Sequence, residues 1–373
     1  MSLIRIIFIH LYFKIGVKMI VEKYDATKFL SMKRIWKSLE NGEDMSVYQT
    51  YEWNNLLNKQ YLNYSKLYRL ICKYEYYVFY DNNEPRVILP LMIKKVNLTL
   101  KGHGIRKGVY IIGSNNYSDY LNWIYCELKN EYFDFIINWL NNNFIDYDIS
   151  FLCIKEETKL NKQLITKKGI KKIEDTISVY VKNENDPEEY NKKLSKNTRK
   201  NLRKAINRIH KKNVIYEIKE LSMVEDNVLI KSLINLHIKR YIQKNSDNNK
   251  MINYIKWIKE IILEKRNNIV SESMKNLNNS WLLVIYLNNE IGGYLYGLKW
   301  RDEINIMQVC VNTKYGFFTP VIRGVYDYII QINTKSDRDI DKLDFTRGNE
   351  RYKYELNGKN RILHNFLMKK ELD

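Results

Sequence analysis

Cysteine and histidine are scarce in this chain, and each scarcity closes off chemistry. The 373 residues include four cysteines and five histidines. Cys72, Cys126, Cys153 and Cys310 are scattered through apolar contexts, and no pair has zinc-ligand or redox spacing. Buried free thiols in a reducing cytoplasm are expected. The histidines form no HxH or HExxH, so no built-in metal site is expected. Zinc-finger and RNP-like aromatic motifs are also missing, which argues against specific DNA binding. No apolar run reaches the roughly 20 residues a membrane-spanning helix needs. The first 18 residues, "MSLIRIIFIHLYFKIGVK", are apolar but broken by Arg5, His10 and Lys14, with no small-residue cleavage site. They read as an extension, either a membrane-surface helix or the product of a start codon placed too early, with Met19 opening the chain proper. A cytoplasmic protein is expected, with peripheral membrane contact left open.

What is present is charge and length. The net charge is +19 and 45% of the residues are hydrophobic. The charge fits an anionic partner, or lysine-rich codon usage that has no functional meaning. The length predicts two domains. "VFYDNNEPRVILPLM" (Val78–Met92) and "VIYLNNEIGGYLYGL" (Val284–Leu298) both read strand, Asn-Asn turn, strand. Two such hairpins so far apart suggest a duplicated domain. Helical patterns at Lys28–Leu39, Tyr51–Leu62 and Leu121–Asn142 alternate with a hairpin at Tyr68–Val96 and strands at Val109–Gly113, "YDISFLCI" and "TISVYV". The second half opens at Asp186, an N-cap before Pro187 and Glu189. It continues through helices to Lys212, at Ser222–Lys244 and at Lys250–Lys265. A three-stranded meander, a helix at Thr319–Ile332 and two closing strands follow. The expected fold is α/β with a mixed α+β sheet, divided as 1–18, 19–183 and 184–373.

Several places could carry chemistry, each with a plain structural alternative. Strand, loop and helix at Ile304–Ile332 place Thr319 as N-cap and Pro320 as first helical residue. The free N–H groups and positive dipole end of such a helix seat pyrophosphate well, though most such turns bind nothing. Lys314 and Arg323 are near enough to assist. From Tyr190 to Lys212 there is no acidic residue. That basic helix could lie on nucleic acid or lipid phosphates, or could be a solvated face. In "GSNNYSDY", Asp119 could hold an amine or sugar hydroxyl, or cap a helix. "LHIKRY" gathers His237, Arg240 and Tyr241 within about one turn, as a general base with neighbours or as packing residues. Finally, "DFTRGNERYKYELN" (Asp344–Asn357) crowds charges at a strand end. Burying them is costly unless they pair, as Asp344–Arg347 or Glu350–Lys353, or meet a ligand.

These segments, in this order, resemble the CelD-like branch of the GNAT acyl-CoA N-acyltransferase superfamily, itself close to the Fem-type aminoacyltransferases. "YQTYEWNNLL", "SKNTRKNLRKAINRI", "GGYLYGLKW…QVCVNTKYGFFTPVIRGVYDYII" and "LDFTRGNERYKYELN" carry the resemblance, and the last is the most specific. Val321 stands where the family often has glycine, and the wider RxxGxG loop is absent. The resemblance implies tandem GNAT-like halves, with acetyl-CoA or another acyl-CoA held in the second. The cofactor residues would be Val309, Val311, Lys314, Tyr315, Gly316, Phe318, Thr319 and Arg323. Asp344, Glu350 and Tyr352 would act in catalysis, with a carboxylate as base and the tyrosine as acid or orienter. Asp119, His237, Tyr241, Arg347 and Lys353 would bind substrate. The implied activity is N-acyl transfer to an amine of a sugar, nucleotide-sugar or polysaccharide or cell-envelope precursor. Two alternatives stand beside it. One is a Fem-like transferase using aminoacyl-tRNA, the only reading that brings in tRNA. The other is a non-catalytic module for an anionic polymer or membrane.

Overall fold

The computed structural model describes residues 19–369, apart from 97, 101–102, 106, 115–116, 185, 245–267 and 335–338. The apolar extension and the helix expected at Lys250–Lys265 lie outside the described residues. The chain divides into two units, 1–176 with 362–373, and 177–361. The boundary therefore falls earlier than the expected 183/184, and the last strand returns to the first unit.

The first unit contains β1 (Met19–Asp25), α1 (Lys33–Leu39), α2 (Tyr51–Leu62), α3 (Lys66–Ile71), β2 (Cys72–Asp81) and β3 (Glu84–Lys94). A small pair, β4 (Leu98–Leu100) and β5 (His103–Ile105), precedes β6 (Gly108–Ile111), α4 (Asn130–Asn143), β7 (Ile149–Lys155), α5 (Lys159–Thr166) and β8 (Ile170–Lys172). Its strand order is β1-β2-β3-β6-β7, and only the β6–β7 pair is parallel.

The second unit contains β9 (Thr176–Lys182), α6 (Pro187–Lys193), α7 (Lys196–Lys211), β10 (Tyr216–Leu221), α8 (Asn227–Lys244) and helical residues 268–276 (α9). Then come β11 (Ser280–Leu287), β12 (Glu290–Trp300), β13 (Glu303–Val311), α10 (Pro320–Thr334), β14 (Lys342–Arg347) and α11 (Arg351–Glu355). The final β15 (Lys359–Met368) pairs with β7 from Leu363 onward. The order β10-β11-β12-β13-β14 repeats that of the first unit, again with only the last pair parallel.

The duplication extends to detail. Asn82 and Asn83 have φ of 51° and 64°, and Asn288 and Asn289 have 51° and 62°. Positive φ at both turn residues makes a type I′ turn, whose twist matches its flanking strands, and Asn tolerates it. A bulge precedes each turn, at Phe79/Tyr80 and at Ile285/Tyr286.

One expected helix is corrected. Residues 121–129 are not helical, and α4 begins at Asn130. Ile124 exchanges both backbone hydrogen bonds with Ile88 of β3 (2.9 and 3.0 Å), and Leu121 N–H donates to the Cys153 carbonyl of β7 (3.2 Å). This backbone is spent between strands, with Trp123 fully buried against Phe133 and Phe151. A second break divides the expected helix through Lys212. Asp186 caps α6, and Ser195 then caps α7 through the Thr198 N–H.

In the second unit, Ile304, Ile306, Leu343 and Phe345 face a core closed by α6, α7 and α10, through Tyr190, Leu202, Val321, Val325 and Ile329. The other sheet face meets α9, where Tyr296 Oη donates to Ser273 Oγ (2.7 Å), and α8, which packs on β13.

Candidate active site

β13 and β14 begin as a parallel pair and then separate. Their register holds only for Glu303–Lys342, Ile304–Leu343 and Asn305–Asp344, although β13 runs on to Val311. The Thr346 hydroxyl donates to the Ile306 carbonyl (3.0 Å) just beyond the last pair. Thr346 has φ of 54°, a rare conformation for a β-branched residue. Its N–H donates back to the Asp344 carboxylate (2.8 Å), which stabilises the bend. A chain with an extended amide backbone could use the edge of β13 that β14 leaves.

Asp344 is fully buried where the strands part. The sequence suggested Arg347 as its partner. Instead Arg361, at the start of β15, hydrogen-bonds the carboxylate and lies 3.6 Å from Glu303. The Arg361 guanidinium also covers the Tyr180 ring at 5.0 Å. Beside them Asn305 is fully buried, and neither end of its amide has a partner among the described residues. Sequence reading missed Glu303, Asn305 and Arg361. The available signal was Asp344 itself, because a carboxylate flanked by core residues in a strand demands a cation.

The charged stretch after β14 is a lysine-centred loop. Gly348 has φ of 109°, as only glycine readily allows. Lys353, expected to bind substrate, is 2% exposed. Its ammonium donates to the carbonyls of Phe345, Arg347 and Gly348 (3.1, 3.1 and 3.0 Å) and pairs with Glu350 (2.8 Å). It organises the loop from inside, and the Glu350 pairing agrees with expectation. The Glu350 side chain is 59% exposed. Tyr352 packs edge-on against Phe345. Burial, and then the Glu350 charge, push its phenol well above the ordinary value, so it keeps its proton. Arg347 is half-buried beside Gly348.

After β13, a 3₁₀ turn (Thr313–Phe318) leads to Thr319 and α10. Thr319 does not cap in the expected extended form but takes φ of 48° and closes the turn, its N–H donating to the Gly316 carbonyl (3.0 Å). Its own carbonyl accepts from Arg323 N–H (3.1 Å), so it still stands at the helix start. α10 lies close because Gly293 of β12 faces it, and its own Gly324 faces β11, without side chains. A Cβ on Gly293 would come within 2.6 Å of Val321, and one on Gly324 within 2.5 Å of Ile285. The two expected phosphate-binding cations already have carboxylates. Lys314 pairs with Glu290 (2.6 Å), which also accepts from Tyr315 Oη (2.8 Å), and Arg323 grips Asp327 with two nitrogens. Val309 and Val311 pack on the core beneath α10, and Phe318 packs beside Tyr315 and Ile209.

The remaining expected residues are dispersed. His237 and Tyr241 are half-buried on α8, whose far end reaches Thr313 through Gln243 (3.3 Å). Asp119 belongs to the first unit, buried under the Tyr48 hydroxyl (3.3 Å). Cys72, Cys153 and Cys310 are buried as expected, but Cys126 is exposed. Among the described residues no three His, Cys, Asp or Glu side chains cluster as a metal site, and no helix is long and apolar enough to cross a membrane.

No sequence family and no curated protein matches the chain. Solved structures do. FemX matches with a TM-score of 0.56 at 10% identity, over 91% of this chain and 95% of FemX. L-PGS from Bacillus licheniformis matches with a TM-score of 0.50 at 10% identity, over 92% of each chain. A conserved protein of unknown function from Bacteroides thetaiotaomicron matches with a TM-score of 0.50 at 8% identity, over 92% of this chain and 97% of that one. At these identities the likeness is one of architecture alone: the chain shares the mixed α/β fold of these proteins, built here as two units of repeated strand order.

Proposed function

We propose that the chain is an acyl-CoA-dependent N-acyltransferase whose second unit carries the reaction. It would transfer an acetyl or similar group to an amine of a sugar, nucleotide-sugar or polysaccharide precursor. The observation that carries this reading is the separation of β13 from β14 after Asn305–Asp344, with the start of α10 following the free end of β13. The residues present fit the donor. The open edge of β13 suits the amides of a pantetheine arm, and the α10 start, held close by Gly293 and Gly324, suits the pyrophosphate. The resemblance of "LDFTRGNERYKYELN" to the CelD-like signature points the same way.

When bound, acyl-CoA supplies a thioester carbonyl for attack and a thiol that leaves. The chain's own groups must hold and move protons around it. Glu350 is the carboxylate that an amine arriving from solvent can reach, so its Oε atoms are the better proton acceptors. Asp344 is committed to Arg361 and the Thr346 N–H, which suits it to fixing the geometry where the strands part. Tyr352 Oη holds a proton for a leaving group. Free-thiol release from acetyl-CoA over a panel of amino sugars tests the reading, with Glu350→Gln expected to lower kcat about 10²-fold or more. Absence of any acyl-CoA binding by calorimetry would sink it.

A second reading keeps the fold and changes the donor to aminoacyl-tRNA. The cations of α7, none of them in an ion pair among the described residues, favour it. Tight, salt-sensitive tRNA binding without acyl-CoA binding would select it.

A further inference from the structure

Phe317 is 58% exposed, the only exposed phenylalanine among the described residues. It stands two residues before Thr319. Its ring is fixed from one side: the Arg208 guanidinium lies 4.5 Å from the ring centroid and donates to the Phe317 carbonyl (2.8 Å), and Phe318 meets its edge at 5.3 Å. Arg208 comes from α7, whose apolar stripe of Leu202, Ala205 and Ile209 is buried. On the flank next to Arg208, Lys200, Lys204 and Lys211 follow at helical spacing and are exposed. No ion pair reaches these three among the described residues, and α7 carries no acid. Lys200 and Lys204 lie about 6 Å apart along the helix axis, close to the spacing of phosphates along a nucleotide chain, and Lys211 lies about 10 Å beyond Lys204.

We propose that Phe317, backed by Arg208, is the base-stacking surface of a nucleotide subsite, and that Lys204, Lys211 and Lys200 hold the phosphates of a phosphorylated adenosine. An aromatic face stacks a base without reading its edges, and the neighbouring cations supply the charge its phosphates need. The alternative occupant is a lipid bilayer. It fits poorly, because α7 has no apolar side left to insert and Phe317 is a single aromatic in a surface of Lys, Arg and Asn. The subsite rests on the acyl-transferase reading and deepens it, placing the donor's nucleotide end beside the start of α10. Two donors end in phosphorylated adenosine: coenzyme A and the 3′ end of an RNA. The length of the basic flank separates them. Coenzyme A needs only the cations near Phe317, whereas an RNA strand would run on toward Lys196.

The test is calorimetric binding of adenosine 3′,5′-bisphosphate and of a short RNA stem ending in CCA, with kinetics on acetyl-CoA and acetyl-pantetheine. Phe317→Ala and Lys204→Glu, both surface changes, are each expected to weaken bisphosphate binding about tenfold and to raise KM for acetyl-CoA but not for acetyl-pantetheine. A coenzyme A site leaves Lys196→Glu silent. An RNA site adds a loss in Lys196→Glu and a steep salt dependence. Unchanged binding of both ligands in Phe317→Ala and Lys204→Glu overturns the subsite. So does Phe317-dependent retention on anionic vesicles without nucleotide binding. If the enzyme uses acetyl-CoA and acetyl-pantetheine equally well, the subsite falls and acyl transfer stands. If it uses neither, transfer from acyl-CoA itself falls.

Discussion

The two units are the same fold with opposite treatments of one gap. In each, a parallel strand pair begins in register and separates, β6 from β7 and β13 from β14. In the first unit the chain fills the space beyond β6. Leu121 bonds to β7, Ile124 bonds to β3, and Trp123 is buried between them. In the second unit β13 itself runs on to Val311, and a short 3₁₀ turn carries the chain directly to α10. One copy has used its cleft for core packing. The other keeps a buried Asp344–Arg361 pair there and an Asn305 amide with no partner among the described residues, which a structure built for stability alone would replace with apolar groups. Under the proposed function, the first cleft serves stability and the second serves chemistry.

The largest effect on that contrast should come from Arg361→Ala. It strands the Asp344 carboxylate in a dry site and should cost about 3–5 kcal/mol. Hydrogen exchange should show protection lost in β14 while β7 keeps its own. Trp123→Ala should cost a similar or smaller amount, about 3 kcal/mol, by emptying the filler of the first cleft. It should leave donor affinity unchanged in calorimetry. Gly293→Ala is the reverse case: its new methyl meets Val321, so it should weaken donor binding with a stability cost of only about 1–3 kcal/mol. If Trp123→Ala removed donor binding and Gly293→Ala did not, the assignment of the clefts would be inverted.

The smallest expected effect is a pH slope. Burial pushes the Cys310 thiol up to about 12, partly opposed by the Arg240 charge. An unfolded thiol loses its proton near its ordinary value of about 8.5. Between the two the folded chain binds more protons, so stability falls as pH rises through that window. Cys310→Ala should flatten the slope in alkaline denaturation curves, and the exposed Cys126 should be alkylated well before Cys310.

Much of the frame was legible in the sequence because it is written in local chemistry. Two Asn-Asn turns announced the paired hairpins, and Asp186-Pro187 and Thr319-Pro320 marked helix starts. The filler of the first cleft was not legible. Residues 121–129 are apolar enough to pass for the front of α4, and only tertiary pairing with Ile88 and Cys153 makes them extended. The site was half legible. Asp344, Glu350 and Tyr352 stood out as charge and aromatic density at a strand end. Arg361 and Glu303 did not, because ion pairs across strands distant in sequence leave no spacing to read. Lys353 illustrates the opposite error: a lysine in a charged run looks available, yet four oxygens claim its ammonium.

The most direct measurement of the central claim is hydrogen exchange with and without a non-hydrolysable acyl-CoA analogue. The account predicts new protection in residues 306–311 and 319–323, with residues 109–124 and 149–155 unchanged. Protection confined to the first unit, or none in either unit at saturating analogue, would contradict it.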